Sequence, residues 1–196
     1  MVEGHLGGYI PGGDPATWYP TLWRALVKEM GVNSVLDIGC GDGVALAQFL
    51  NFGATVAIGV DGMPQDNPLI FEHDFTTGPW HRTSKRRFNL VWCCEFVEHV
   101  EEKYIPNYLE AFKLGDMVLM THAIPGQPGY HHVNCQTADY WTGVMAGAGY
   151  SLSEKLTTHT RNLASQDAFT WSDDTGEFRS HYIDRGLAFI RSGVRG

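Results

Sequence analysis

Short runs of branched apolar residues alternate along the chain with longer stretches of helical spacing. Val35, Leu36 and Ile38 form a compact apolar run, as a buried strand requires, and predict a strand over 34–38. The run Val44-Ala-Leu-Ala-Gln-Phe-Leu50 predicts a helix over 43–51, closed by Gly53. A second strand is expected over 54–60, a short third at Phe71–His73 and a fourth at Phe88–Cys94. A fifth covers 116–122, and candidates for the sixth and seventh lie at 151–156 and 187–191. Pro20 suits the first turn of a helix through Met30, with Gly31 as its stop. Further helices are expected over 104–114, stopped by Gly115, and over 137–148, ending at Gly149. Strands alternating with helices imply an α/β fold, with a mostly parallel sheet in a three-layer α/β/α sandwich. Residues 1–16, rich in Gly and Pro, read as an irregular arm. Residues 157–186 are polar and aromatic with weak periodicity. They are expected to form a long loop, either a substrate cover or an ordinary connection. No repeat or second domain is apparent, so residues 1–196 are expected to form a single domain.

Composition narrows the function. The chain has 196 residues, 43% hydrophobic, enough for a real core. No apolar run approaches the roughly 20 residues of a membrane span, and the opening residues lack the pattern of a signal peptide. Cys40, Cys93, Cys94 and Cys135 form no Cys-x-x-Cys pair and are expected to be reduced thiols of a cytoplasmic protein. A net charge of −8 argues against broad phosphate binding, so nucleic acid is not an expected partner. The one dense basic cluster, His81 to Arg87, reads as a solvated loop, with contact to an anionic substrate as the alternative. Oligomeric state is open.

The candidate chemistry starts at Ser34-Val-Leu-Asp-Ile-Gly-Cys-Gly-Asp-Gly43. Strand, glycine turn and helix make a nucleotide-binding corner, where small residues let the backbone approach a cofactor. A dinucleotide fingerprint wants a third glycine three positions after the second; counted from Gly41 that place holds Val44. An NAD-linked oxidoreductase is therefore a poor fit. Asp37 followed by Gly39, Gly41 and Gly43 instead resembles motif I of class I S-adenosylmethionine-dependent methyltransferases. The resemblance, which extends to small-molecule enzymes such as the ubiquinone-biosynthesis O-methyltransferases, implies a seven-stranded Rossmann-like sheet with one antiparallel strand. It also implies S-adenosylmethionine as cofactor. Asp37 suits the ammonium of that compound, and the helix N-terminus suits its carboxylate. Cys40 lies within the same turn.

Further residues fit that resemblance. Asp61, followed by Gly62, stands at the end of the second strand, where a carboxylate can accept both ribose hydroxyls; a simple turn cap is the alternative. By position, Asp74 is assigned to the adenine amine and Phe75 to the ring, although turn chemistry alone also explains Asp74. The segment Cys93-Cys94-Glu95-Phe-Val-Glu98-His99 resembles the Glu-x-x-Glu-His stretch after the fourth strand of many small-molecule methyltransferases, placing Cys94 and Glu95 near the donor. On a helical turn, Glu95, Glu98 and His99 can share one face; an acidic helix start is the bland alternative. His131 and His132 on a Gly- and Pro-rich loop are candidate general bases, with His99 and Glu95 as further catalytic candidates.

The expected function is methyl transfer to a small molecule or sugar, at a hydroxyl or amine, without a metal. One alternative is a metal-assisted enzyme: Glu95, Glu98, His99 and His132 resemble the set of the small-RNA terminal 2′-O-methyltransferases. Another is a cofactor-binding subunit without chemistry.

Overall fold

A computed structural model describes residues 4–6, 8, 12–81, 87–167 and 180–193. Its sheet has seven strands: β1 (Ser34–Ile38), β2 (Val56–Asp61), β3 (Ile70–Glu72), β4 (Phe88–Cys93), β5 (Gly115–Met120), β6 (Tyr150–Leu152) and β7 (Leu187–Arg191). The order across the sheet is β3-β2-β1-β4-β5-β7-β6. The first five strands run parallel, and β7 is antiparallel to both β5 and β6. Six α-helices accompany it among the described residues: α1 (Pro20–Lys28), α2 (Val44–Asn51), α3 (Ile105–Phe112), α4 (Ala138–Gly147), α5 (Glu154–Ala164) and α6 (His181–Arg185).

Successive strand side chains point to opposite faces, and both faces are covered. Leu36, Ile38, Val91 and Val118 join one apolar cluster with residues of α3 and α4. Val35, Ala57, Leu90 and Leu119 join the other with α1, α2, α5 and α6. Aromatic rings fill this second cluster: Trp92 stacks on Tyr182 at 5.2 Å, and Trp23 meets Trp92 edge-on at 6.1 Å. Burial on both faces explains the apolar residues Val35, Leu36 and Ile38 of β1. Asn89 ties the starts of β1 and β4 together, its side-chain carbonyl accepting from the Ser34 N–H and hydroxyl.

Three expectations need correction. The sixth strand ends at Leu152, and the next residues turn into α5. Ser153 caps that helix through the Leu156 N–H. Residues 157–164 are therefore helical, not loop. Their buried face is Thr157, Thr160 and Ala164, which carries no run of branched apolar residues. The hydroxyls are satisfied internally, Thr157 Oγ1 accepting from the Ala188 N–H and Thr160 donating to the Leu156 carbonyl. A second short helix, α6, starts at His181 inside the same expected loop. Finally, Gly115, expected to stop a helix, is the first residue of β5. The centre of the expected cover, 168–179, and most of the basic cluster, 82–86, lie outside the described residues.

Candidate functional site

The carboxyl ends of β1, β2 and β4, with the loops after β3 and β5, open onto a cavity of about 1320 Å³. Of the site residues expected from the sequence, all line it except Gly43, which supplies the N-cap of α2, and Glu98, which is fully buried behind it.

The glycine turn is built for close approach. Gly39 has φ 74°, and a Cβ there would sit 2.6 Å from the Phe96 ring. Its N–H donates to the Val60 carbonyl, and the Gly41 N–H donates to Asp61 Oδ2 at 2.8 Å. Asp61 Oδ1 accepts from the Met63 N–H, so both oxygens are fixed at the cavity wall. Asp37 is 3% exposed, and among the described residues no cation or hydrogen-bond donor stabilises its charge. Burial, and then the neighbouring Asp61 carboxylate, push its pKa well above the usual carboxylate range. Burial also raises that of Asp61, against the two backbone N–H groups. Two carboxylates held this way offer a cavity ready for a cation and a diol.

Asp74 already has partners. Its Oδ1 accepts from the Thr76 N–H, and its Oδ2 faces the Thr76 hydroxyl at 2.8 Å and His5 Nε2 at 2.9 Å. Burial alone would raise the Asp74 pKa; His5 and Thr76 hold it below the ordinary value. Phe75 lines the cavity while its ring packs edge-on against Phe96 at 5.7 Å.

After β4 the chain does not form the expected helical turn from Glu95. Glu95 takes φ 53°, and only Val97–His99 make a 3-10 turn. The two glutamates meet different surroundings. Glu95 Oε1 accepts from the Thr121 hydroxyl at 2.8 Å, and Oε2 pairs with His181 Nδ1 at 2.9 Å. Burial opposes ionisation of Glu95, yet His181 and Thr121 bring its pKa below the usual value. Glu98 is fully buried, and neither carboxyl oxygen has a hydrogen-bond partner. Burial and the nearby Glu95 charge push its pKa up to about 8. Burial and His132 lower that of His99 to about 4, leaving a neutral imidazole with an unpartnered Nδ1. Cys94 faces the cavity too, with burial pushing its thiol pKa well up.

His131 and His132 sit on the loop after β5, half-buried. Each Nδ1 lies 3.2 Å from a carbonyl, of His99 and Gln127 respectively. One ligand atom each from Glu98, His99 and His132 lie within 4.8 Å of one another, a set able to hold a metal ion. Glu95, expected in the same set, is not one of these three; its oxygens are engaged by Thr121 and His181.

Sequence reasoning missed His181 and Asp14. His181 Nε2 lies 3.6 Å from Asp14 Oδ2, and both residues line the cavity. Burial would lower the His181 pKa, but the two facing carboxylates, Asp14 and Glu95, raise it to about 9. The signal was faint, because α6 has five residues within an aperiodic stretch.

A mostly parallel sheet of this order, a glycine turn after β1 and carboxylates near the ends of β1 and β2 define an α/β protein with a cavity at its strand ends. The chain belongs to the methyltransferase domain family, whose model matches residues 16–155. No curated protein is matched by sequence. Solved structures share the fold at low identity. The magnesium protoporphyrin IX methyltransferase of Synechocystis, with bound S-adenosylmethionine, is 15% identical (TM-score 0.57), over 88% of this chain and 76% of that one. A sugar N-methyltransferase from Streptoalloteichus is 16% identical (TM-score 0.57), over 92% and 89%. The methyltransferase domain of a bacterial Hen1 is 14% identical (TM-score 0.56), over 92% and 100%.

Proposed function

We propose that this protein, folded as an α/β/α sandwich, transfers the methyl group of S-adenosylmethionine to a hydroxyl or amine of a small molecule or sugar. The observation that carries this reading is Asp37, a buried carboxylate without a cation, at the mouth of a glycine turn in a large cavity. An ionised carboxylate so placed is costly unless paired, and the ammonium of the donor is the missing partner. Asp61 accepts the ribose hydroxyls, and the α2 N-terminus faces the donor carboxylate. Phe75 borders the adenine ring, with Asp74 at its edge.

When bound, the sulfonium supplies an electrophilic methyl group. The chain's own task is to hold the acceptor in line behind it, which is worth on the order of 7–11 kcal/mol in favourable intramolecular cases. Glu95 has both oxygens engaged, so it fixes a hydrogen-bonding acceptor rather than taking its proton. His131 and His132 on the facing loop are the imidazoles placed to accept that proton; His99 is neutral, but the burial that lowers its pKa also makes it a weak base. The related small-molecule enzymes, acting on a porphyrin and on a sugar, support an acceptor of that size. Calorimetric titration with S-adenosylmethionine tests the donor. Heat with micromolar affinity is expected; no heat and no thermal shift at millimolar donor would contradict it.

A second reading is favoured by one observation, the juxtaposition of Glu98, His99 and His132. Two imidazoles and an unpartnered carboxyl suit a divalent transition metal, and a metal there would polarise an acceptor hydroxyl. The bacterial Hen1 domain shares this fold, and an RNA terminal hydroxyl is the acceptor such a reading implies. Metal analysis after purification, and turnover with and without EDTA, separate the two. Full activity in EDTA leaves the metal-free reading standing.

A further inference from the structure

The ion-pair bridge Asp14–His181–Glu95 joins segments far apart in the chain. Asp14 ends the N-terminal segment, Glu95 follows β4, and His181 opens α6. Both ring nitrogens face carboxylates: Nδ1 lies at hydrogen-bond distance from Glu95, 2.9 Å, and Nε2 at ion-pair distance from Asp14, 3.6 Å. Neither carboxylate is loose. Asp14 Oδ1 accepts from the Ala16 N–H at 2.8 Å, and Glu95 Oε1 accepts from Thr121. The bridging side chains are 16–33% exposed, which puts them at the wall of the cavity rather than in bulk water.

The described residues ahead of Asp14 line the same cavity. His5 pairs with Asp74. Any side chain added at Gly62 would strike Leu6, and one at Gly8 would meet the His99 ring at 3.2 Å. The Gly12 N–H donates to Asp42 at 2.9 Å, and Gly13 lies against Val44 at the start of α2. The described residues thus touch Asp74, Gly62, His99 and the glycine turn, on both sides of the proposed methyl-transfer site.

We propose that His181 is a positioning residue of the methyl-transfer site, locking Glu95 on the acceptor side to Asp14, which directly follows Gly12 and Gly13 at the glycine turn on the donor side. The inference rests on the donor reading above. Its consequence is that the donor leaves more slowly while the bridge is closed, and Glu95 is held where an acceptor meets the methyl group. His181 touches neither reactant in this scheme and acts through its two partners.

Three variants separate the two halves of the bridge. Asp14→Asn keeps the cap on Ala16 and removes only the charge. His181→Asn keeps a donor at the Nδ1 position, towards Glu95, and loses the one towards Asp14; His181→Gln does the reverse. Release of S-adenosylhomocysteine, followed by stopped-flow tryptophan fluorescence, is expected to be about threefold to tenfold faster in Asp14→Asn and His181→Asn, the scale of one ion pair. His181→Gln should release it near the wild-type rate but lose kcat, through a misplaced Glu95. The double variant Asp14→Asn/His181→Asn should release no faster than either single one, because both cut the same link. Wild-type release rates in Asp14→Asn and His181→Asn, with wild-type protein binding the compound, overturn the proposal alone. Additive acceleration in the double variant does the same. Wild-type protein that binds no donor overturns the methyltransferase reading and this inference with it. Asp14→Asn preserves every backbone contact of that residue, so the test survives if a His181 variant fails to fold.

Discussion

Gly39 shows how closely a single position is constrained. Its φ of 74° costs an L residue strain, and its missing Cβ would lie 2.6 Å from Phe96. Gly39→Ala is expected to destabilise the protein by about 1–3 kcal/mol, read as a lower urea midpoint, and to weaken donor binding as the turn shifts. An unchanged midpoint would mean that Phe96 gives way easily. The same position was legible in the sequence. Branched apolar residues followed by Gly39 and Gly41 have few structural readings, and Asp37 and Asp61 follow from their places at strand ends. Asp74 was only half legible. Its turn bonds to Thr76 were foreseeable, but the His5 contact joins residues 69 apart and has no local signature.

At the scale of elements, the contrast between β1 and α5 explains what the pattern could reveal. β1 is buried on both sides and carries Val35, Leu36 and Ile38 there, with Ser34 and Asp37 as its buried polar members. Helix α5 buries threonines, whose hydroxyls are neutralised by partners elsewhere in the fold, so its inner face looks polar in sequence. Thr160 is central: its hydroxyl donates to the Leu156 carbonyl and lies 3.1 Å from the Tyr182 hydroxyl. Thr160→Val keeps the shape but leaves the Tyr182 O–H without its partner inside the core. A loss of about 1–3 kcal/mol is expected by chemical denaturation, with donor affinity unchanged. Wild-type stability would show that Tyr182 finds another acceptor. The turn after β4 was misjudged for a related reason. The spacing of Glu95, Glu98 and His99 fits a helix, but the left-handed Glu95 redirects the chain and sends Glu98 inward.

Across the whole molecule, charge links the N-terminal segment, the β4 crossover and α6. His181 has a folded pKa of about 9, above the 6.5 of an unperturbed histidine. Asp14 and Glu95 face it, and its charge also reaches Glu98. A raised histidine pKa stabilises the folded state fully below about pH 6.5, and that contribution is lost as pH climbs towards 9. Wild-type Tm should therefore fall between pH 6.5 and 9.5, and His181→Gln should flatten that fall. Parallel curves would mean that the bridge carries no stability. This scale was the least legible in sequence, since ion pairs between distant segments leave no periodic trace.

The most direct measurement is calorimetric titration of S-adenosylhomocysteine into wild-type protein and Asp37→Asn, side by side with their melting temperatures. The substitution replaces a buried, unpaired carboxylate with a neutral amide of the same shape, so the unliganded protein should melt no lower than wild type. Affinity should fall at least about tenfold, equivalent to about 1.4 kcal/mol, because the ligand's ammonium loses its counter-charge. Equal affinity in the two proteins, or none in the wild type, would contradict the account.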